Sequence, residues 1–232
     1  SNPKDPFVVG QLDIGKDALS VYSQGKYAYV GTYNELVIAD VSNPQKPKQV
    51  SSIKLPGTLR SIYAQDRYVY LACDDAGLVV IDAVDANNPV QVGVFDTTGR
   101  ALSVQVAGKY AYVADEANRL VVVDISNPQK PMQVGRFDTV GRAYDVYVKG
   151  SNAYVASGDK GMYILDVSNP SNISRISLID TPGNATSVYV QGNYAYVADE
   201  NNGVVVIDVS IPKSPKIISD SYWFTTIFYA TF

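Results

Sequence analysis

Short runs of apolar, mostly β-branched residues recur along the chain, and each run ends in an aspartate. Residues 120–124 (LVVVD) are one of five near-copies, whose closing aspartates fall at 40, 82, 124, 166 and 208, a period of 42 residues. Uninterrupted apolar runs of this length predict strands buried on both faces, because a strand with one solvent-exposed face would alternate apolar and polar residues. A buried strand with this period predicts a solenoid, a propeller or a similar array.

Each unit carries four strand signals, which we name A to D. Strand A follows a glycine at 15, 57, 99, 141 or 183, and a two-residue turn, mostly with glycine in second place, leads to the tyrosine-rich strand B. Glycine supplies the positive φ that such a hairpin needs. Strand C is the apolar run, followed by a Ser-Asn-Pro type of turn. A proline often precedes strand D, and proline is tolerated at the start of an edge strand, so D is predicted outermost.

Four-stranded antiparallel units of this period predict an all-β fold, a β-propeller in one domain over residues 1–220. The repeats are expected at about 15–56, 57–98, 99–140, 141–182 and 183–220. Residues 6–14 are interpreted as an additional D strand that completes the last blade and closes a ring of five blades. Six blades, with the sixth only partly encoded, is the alternative.

The C-terminal residues 221–232 break the repeat. They carry no charge and six aromatic side chains, including the only tryptophan of the chain. Such a segment aggregates when it is left in water, so we expect it to be buried. It either packs on its own propeller or adds as a strand to another subunit; a truncation artefact is the third alternative. The residues expected to mediate this assembly are Tyr222, Trp223, Phe224, Ile227, Phe228, Tyr229 and Phe232.

Composition removes several function classes. The formal net charge is −4 and the pI about 4.8, which disfavours nucleic acid and anionic membranes as partners. The chain has no histidine and one cysteine, Cys73, which is expected to be a buried, inert thiol. There is no apolar run of about 18 residues and no secretion signal. The chain opens inside a repeat, so a mature product, a proteolytic core or a cut piece is expected. No cofactor is predicted.

Charged side chains concentrate in the B–C and D–A connections, which share one face of a propeller. The D–A loops carry Lys16, Arg100, Arg142 and Asn184 near the channel mouth. The B–C loops carry the acids Asp74, Asp75, Asp115, Glu116, Asp159, Asp199 and Glu200.

Three ligand hypotheses compete with a plain solvated rim for this face. Oxygen-rich loops suit a hard cation such as calcium, although no known calcium-loop spacing occurs and we predict no metal. Arg100 and Arg142, one blade apart, suit an anionic group of a glycan or a peptide. Two acids across the funnel could hydrolyse a glycoside. The aspartates at period 42 are expected instead to cap backbone amides.

The LVIVD-like runs followed by Ser-Asn-Pro resemble the LVIVD repeat family, β-propeller repeats of bacterial and archaeal cell-surface proteins, and the Tyr-Val-Ala-Asp pieces resemble the related YVTN propellers. The resemblance covers all five repeats and implies no catalytic residues. It implies an extracellular or cell-surface location, and sequons at Asn172 and Asn184 allow glycosylation there. We therefore expect a non-catalytic structural, self-assembly or adhesion module with protein partners. The alternative is a propeller that binds a glycan or peptide, and a hydrolase ranks third.

Overall fold

Each repeat folds into one four-stranded antiparallel sheet, in a computed structural model that describes residues 5–117 and 119–220. Blade 1 comprises β1 (Ser20–Gln24), β2 (Tyr27–Gly31), β3 (Glu35–Asp40) and β4 (Lys48–Lys54). Blade 2 comprises β5 (Ser61–Gln65), β6 (Tyr68–Ala72), β7 (Leu78–Asp82) and β8 (Val90–Phe95). Blade 3 comprises β9 (Ala101–Ala107), β10 (Tyr110–Asp115), β11 (Arg119–Asp124) and β12 (Met132–Asp138).

The last two repeats have the same plan. Blade 4 comprises β13 (Asp145–Lys149), β14 (Asn152–Ala156), β15 (Met162–Asp166) and β16 (Ser174–Ile179). Blade 5 comprises β17 (Ser187–Gln191), β18 (Tyr194–Ala198), β19 (Val204–Asp208) and β20 (Lys216–Asp220). The strands of every blade lie in chain order, so the five predicted blades and the outermost position of strand D are confirmed.

Local sequence explains the hairpins and the edges of the blades. The A–B turns have the positive φ that a two-residue hairpin requires, for example 61° at Gly25 and 56° at Asp66. Strand D pairs with strand C through a register shift at the same place in every blade. A bulge of this kind increases the local twist of the outer strand.

The core lies between successive blades rather than within one sheet. Four apolar clusters join blades 1 and 2, 2 and 3, 3 and 4, and 4 and 5. The C strands of blades 1 to 4 are buried on both faces, as predicted; β7, for example, has Leu78, Val79, Val80 and Ile81 fully buried. In blade 5 the prediction is wrong for one face of β19, where Val204 and Val206 are only half-buried. Four tyrosines of strand B are buried in these clusters: Tyr29, Tyr70, Tyr112 and Tyr154. Tyr196, at the same repeat position in blade 5, is exposed.

The N-terminal segment differs from the prediction. Residues 5–14 form no strand, and the outer strand of blade 5 is Lys216–Asp220. The fifth repeat contains its own strand D, so the outer edge of β19 is already paired and offers no place for a second outer strand. The prediction that residues 6–14 complete blade 5 as its outer strand is therefore wrong.

Helical structure is nearly absent from the described ranges. The single helical element there is a 3-10 turn at Glu200–Asn202. Across residues 5–117 and 119–220, no helix has the length and apolar character needed to span a bilayer.

Candidate functional site

The aspartates at period 42 cap turns, as predicted. Each accepts a backbone hydrogen bond from the residue two positions later, at 2.8–3.0 Å. A hydrogen bond from a nearby side chain and, after it, the backbone bond lower the pKa of each carboxyl group; for Asp82 the side-chain donor is Arg67. The carboxylates concerned are Asp40, Asp82, Asp124, Asp166 and Asp208.

The loop face contains a continuous arc of alternating bases and acids across blades 2 to 4. We call it the ion-pair arc, and it consists of Arg60, Asp74, Arg100, Glu116 and Arg142. Arg60 Nη2 donates to Asp74 Oδ2 at 2.7 Å, and Arg100 Nε donates to Asp74 Oδ1 at 2.6 Å. Arg100 Nη1 and Arg142 Nη1 donate to the two oxygens of Glu116 at 2.8 and 2.9 Å. The structure therefore brings together four of the predicted site residues.

Protonation is tightly controlled at the centre of this arc. Partial burial pushes the pKa of Asp74 upward, but hydrogen bonds from Arg100 and Arg60 outweigh burial and hold it below its ordinary value. The hydrogen bond that Arg100 donates to Asp74 also raises the pKa of Arg100. Asp74 and Arg100 are therefore a fixed ion pair at neutral pH, and neither is poised for proton transfer.

The buried carboxylates of the loop face accept hydrogen bonds from the loops that surround them. Asp199 Oδ1 accepts from Thr181 Oγ1 at 2.6 Å, and Asp199 Oδ2 accepts from the Gly183 amide at 2.7 Å. Asp115, also buried, accepts from the Ala117 amide at 2.8 Å. A Cβ at Gly99 would lie 2.0 Å from Asp115 Oδ1, so the D–A loop needs glycine at this point.

The remaining predicted residues form separate pairs or stand alone. Lys16 contacts Glu35 at 2.5 Å, Asn184 contacts Glu200 at 2.9 Å, and Asp159 contacts Lys160 at 2.9 Å. Asp75 is exposed. The structure does not bring these residues into the ion-pair arc. The predicted assembly residues of the C-terminal segment (Tyr222, Trp223, Phe224, Ile227, Phe228, Tyr229 and Phe232) lie outside the described residues.

Sequence reasoning missed Arg60 and the inner-strand position that holds Asp145. Arg60 follows the repeated glycine by three residues, whereas Arg100 follows it by one, so the period gave no signal for Arg60. Asp145 replaces a serine found at Ser61, Ser103 and Ser187, and this departure from the repeat was a usable signal.

Asp145 connects blades 3, 4 and 5. Ser103 Oγ donates to its Oδ1 at 2.6 Å, and Ser187 Oγ donates to its Oδ2 at 2.7 Å. The amides of Val146 and Val188 each donate at 2.9 Å. Burial raises the pKa of Asp145, although all four hydrogen bonds oppose the shift.

Tyrosines of neighbouring A strands pack against each other in pairs. Tyr22 and Tyr63 have ring centroids 5.1 Å apart, and Tyr147 and Tyr189 are separated by the same distance. Burial, with a contribution from Tyr63, raises the pKa of Tyr22 to about 12. The Tyr22 phenol is therefore neutral at physiological pH.

Five tandem matches decide the family. The LVIVD repeat model matches residues 15–54, 56–97, 98–139, 140–181 and 182–222, in step with the five sheets. The chain belongs to the LVIVD repeat family. The LVIVD repeats thus coincide with the five blades.

One solved structure supports the same architecture. A crystal structure of a functionally unknown protein from Desulfotomaculum acetoxidans has a TM-score of 0.78 and 16% identity to this chain. The match covers 91% of this chain and 72% of that one. At this identity the likeness shows the fold alone. No curated protein matches the chain. In the described ranges no cluster of three or more acidic or cysteine side chains could hold a metal ion.

Proposed function

We propose that this LVIVD propeller is a non-catalytic structural, self-assembly or adhesion module of an extracellular or cell-envelope assembly. The observation that carries the proposal is the ion-pair arc. Asp74 and Glu116 each accept hydrogen bonds from two arginines. A catalytic acid or base needs an accessible proton site with a pKa near the working pH. The pKa of Asp74 is held below its ordinary value, and both oxygens of Glu116 already accept hydrogen bonds from arginine.

The outer rim supplies a surface for assembly. The D strands of blades 2 to 5 carry exposed apolar side chains beside an unpaired strand edge: Val90, Val94, Met132, Leu178 and Ile218. Such edges are the usual sites of strand-mediated association. An envelope protein that packs against copies of itself or against other subunits would use this repeated rim.

The extracellular or cell-surface location rests on the family resemblance and on two sequons. Asn172 and Asn184 are both exposed, so a glycosylation enzyme could reach them. Partners are then other protein subunits of the envelope.

The test is sedimentation of the purified chain over a wide concentration range. We expect reversible association that is lost when Val90, Val94 and Met132 are replaced by lysine, with the melting temperature unchanged because all three side chains are exposed. Val84→Lys, an equally exposed change in the C–D turn, is the matched control and should leave association intact. A chain that stays monomeric at every concentration and binds no envelope fraction contradicts the proposal, and so does turnover of a glycoside or peptide substrate.

A glycan or peptide ligand on the loop face is the second candidate, and Arg142 favours it. Its side chain is 61% exposed, and its ion pair in the described ranges uses only Nη1. The outward part of the guanidinium suits a carboxylate or a sugar acid. An increase in melting temperature with such ligands, abolished by Arg142→Gln, would support this candidate.

A further inference from the structure

The leading face of blade 1, which points away from blade 2, is uncovered along its inner strands. Val21 is 50% exposed. Its counterparts pack on the preceding blade and are only 4–5% exposed: Ile62, Val104, Val146 and Val188. Ala18 is exposed, whereas its counterparts are fully buried: Leu59, Ala101, Ala143 and Ala185. In the described ranges, therefore, no inner strand of another blade packs on this face.

The trailing face of blade 5, which points away from blade 4, is uncovered as well. Tyr196 is 37% exposed, against 3–4% for its counterparts: Tyr29, Tyr70, Tyr112 and Tyr154. Val206 is half-buried, whereas its counterparts are fully buried: Ile38, Val80, Val122 and Ile164. None of the four apolar clusters formed by the described residues joins blade 5 to blade 1. We call these two uncovered faces the seam.

The outer half of the leading face is covered by the N-terminal segment. Gly10 lies against Pro44, since a Cβ at Gly10 would be 2.1 Å from the Pro44 carbonyl oxygen. Gly93 in strand D of blade 2 makes the same approach to Pro128 of blade 3, also with a distance of 2.1 Å. Val37, on the outer half of the leading face, is only 2% exposed. The N-terminal segment thus lies where strand D of a preceding blade would lie.

The seam is one blade wide. In blade 5 the residue at the repeat position of Gly93 is Ser219, which lies opposite Val206 in the sheet and is exposed. If blade 5 directly preceded blade 1, Ser219 would contact Pro44, but Gly10 makes that contact. Strand β20 and the N-terminal segment are therefore the outer strands of two successive blade positions. The second position lacks strands A, B and C among the described residues.

These missing strands explain why residues 5–14 form no strand. An outer strand forms its ladder of hydrogen bonds with strand C beside it, as β4 does with β3. At the second position the described residues supply no strand C, so the segment has the place of an outer strand but no ladder to join. A polypeptide that brings strand C would allow the segment to pair.

We propose that the seam binds a partner polypeptide that supplies strands A, B and C of a sixth blade, with residues 7–13 of this chain as its strand D. These residues stand 41 positions before β4, because Gly10 contacts Pro44 as Ser51 contacts Ala86. A second copy of the chain does not suit the seam, since each of its blades already has a strand D and that place is taken. The seam is a binding surface separate from the outer rim described above.

The two faces of the seam specify the chemistry of the partner. Its strand C must be apolar on both sides, because it lies between the faces that carry Val206 and Val30. Its A–B turn must offer a carbonyl group to Gln191, which is exposed. From the same repeat position, Gln65 Nε2 donates to the Gly108 carbonyl group of the next blade at 3.1 Å. Three short antiparallel strands of the LVIVD type, without a fourth, meet both requirements.

A synthetic A–B–C unit tests the proposal. The peptide has the sequence of residues 141–166, which include these three strands of blade 4. We expect one peptide to bind per full chain in titration calorimetry and to shield the thiol of Val21→Cys from a labelling reagent. Val84→Cys, in an exposed C–D turn, is the matched control and should be labelled equally with and without peptide. A peptide with Ile164→Asp and Leu165→Asp places carboxylates against both apolar faces and should bind at least about tenfold more weakly.

Hydrogen exchange shows whether the N-terminal segment becomes an outer strand. In the chain alone the amides of residues 7–13 belong to no strand, so we expect them to exchange fast. When the peptide binds, their exchange should slow at least about tenfold, because they join its strand C. The amides of β4, which already lie in a ladder, serve as the control and should not change. Binding that leaves the exchange of residues 7–13 unchanged overturns the proposal.

Labelling of the chain without peptide distinguishes the alternative occupants. The native Cys73 is fully buried, so the label reports on position 21. A Val21→Cys thiol that is shielded in the monomer means that other residues of the same chain cover the seam. Shielding that increases with chain concentration means that a second copy covers it. Either result overturns the proposal, and so does the absence of peptide binding or equal binding of the two peptides.

The rim variant separates this inference from the assembly role proposed above. The triple lysine substitution at Val90, Val94 and Met132 leaves the seam unchanged, so this variant should bind the peptide as tightly as the unmodified chain. A chain that binds the peptide but does not associate through its rim supports the inference and contradicts rim-mediated assembly. The two proposals therefore fail separately.

Discussion

The hydroxyl group of Ser177 donates a hydrogen bond of 2.6 Å to the carbonyl oxygen of Pro212, which belongs to the next blade. Ser51 makes the same bond to Ala86, also at 2.6 Å. At the equivalent Gly135 the neighbouring Pro170 carbonyl lies so near that a Cβ would be 1.8 Å from its oxygen. The contact between adjacent blades is thus made either by a hydroxyl group or by direct approach of the backbone.

Substitutions at this position should distinguish the hydroxyl contact from the direct backbone contact. Gly135→Ala forces the blades apart and should lower the free energy of unfolding by about 1–3 kcal/mol. Ser177→Ala removes one hydrogen bond and should lower it by about 1 kcal/mol. Urea denaturation measures both, with the exposed Met132→Ala on β12 as the control. A Gly135→Ala protein as stable as the unmodified chain would show that the blades are not in contact there.

Asp145 should be a stabilising connection between three blades. Asp145→Ala leaves the Ser103 and Ser187 hydroxyls and the Val188 amide without their acceptor, and we expect a loss of about 1–3 kcal/mol in unfolding free energy. Asp145→Ser, which restores the residue of the other repeats, should lose less. Asp159→Ala removes only a surface ion pair and serves as control, with a change within about 0.5 kcal/mol. Equal losses of unfolding free energy in Asp145→Ala and Asp145→Ser would contradict the hydrogen-bonding role of Asp145.

Acid should weaken the turn caps. The pKa of Asp124 is lowered in the folded chain, chiefly by the hydroxyl and amide of Ser126. A carboxylate whose folded pKa lies below its unfolded pKa stabilises the fold above the unfolded value, about 4, and this stabilisation is lost as the pH falls through the folded pKa. We therefore expect unfolding free energy to fall below about pH 4.

Asp124→Asn is the diagnostic variant for this dependence. The amide oxygen of asparagine can still accept the backbone bond but does not titrate, so the variant should lose less stability between pH 5 and pH 3 than the unmodified chain does. Urea denaturation at several pH values measures the two curves. Parallel curves would show that the Asp124 cap does not contribute to acid sensitivity.

Cys73 should be inert until the chain unfolds. Its thiol is fully buried, and burial, with the nearby Asp74, raises its pKa to about 12. At pH 8 a thiol of that pKa is ionised only on the order of 10⁻⁴, and thiolate is the reactive form. A thiol reagent should therefore label Cys73 only in parallel with urea unfolding. Val84→Cys adds an exposed thiol that should react at once in the folded chain. Rapid labelling of Cys73 without urea would contradict its burial.

Local patterns were sufficient for most of the fold. Four apolar residues before Asp124 predict a doubly buried strand, and the turn chemistry after it predicts a cap; both are local consequences of side-chain type. The loop face was predictable only in outline. Arg100 and Glu116 could be assigned to one face, but their direct contact depends on how neighbouring blades are rotated, and Arg60 carries no periodic signal.

The residue pattern was enough to predict the repeat, the strand order within each blade and the turn caps, because these depend on interactions between residues close together in the chain. The partners of Asp145 and the exposure of Val21 and Tyr196 depend on how the blades pack, and no local pattern predicts them. Tyr154 and Tyr196 have the same local sequence, Ala-Tyr-Val-Ala. One is buried and the other is not, because burial depends on which blade follows in space.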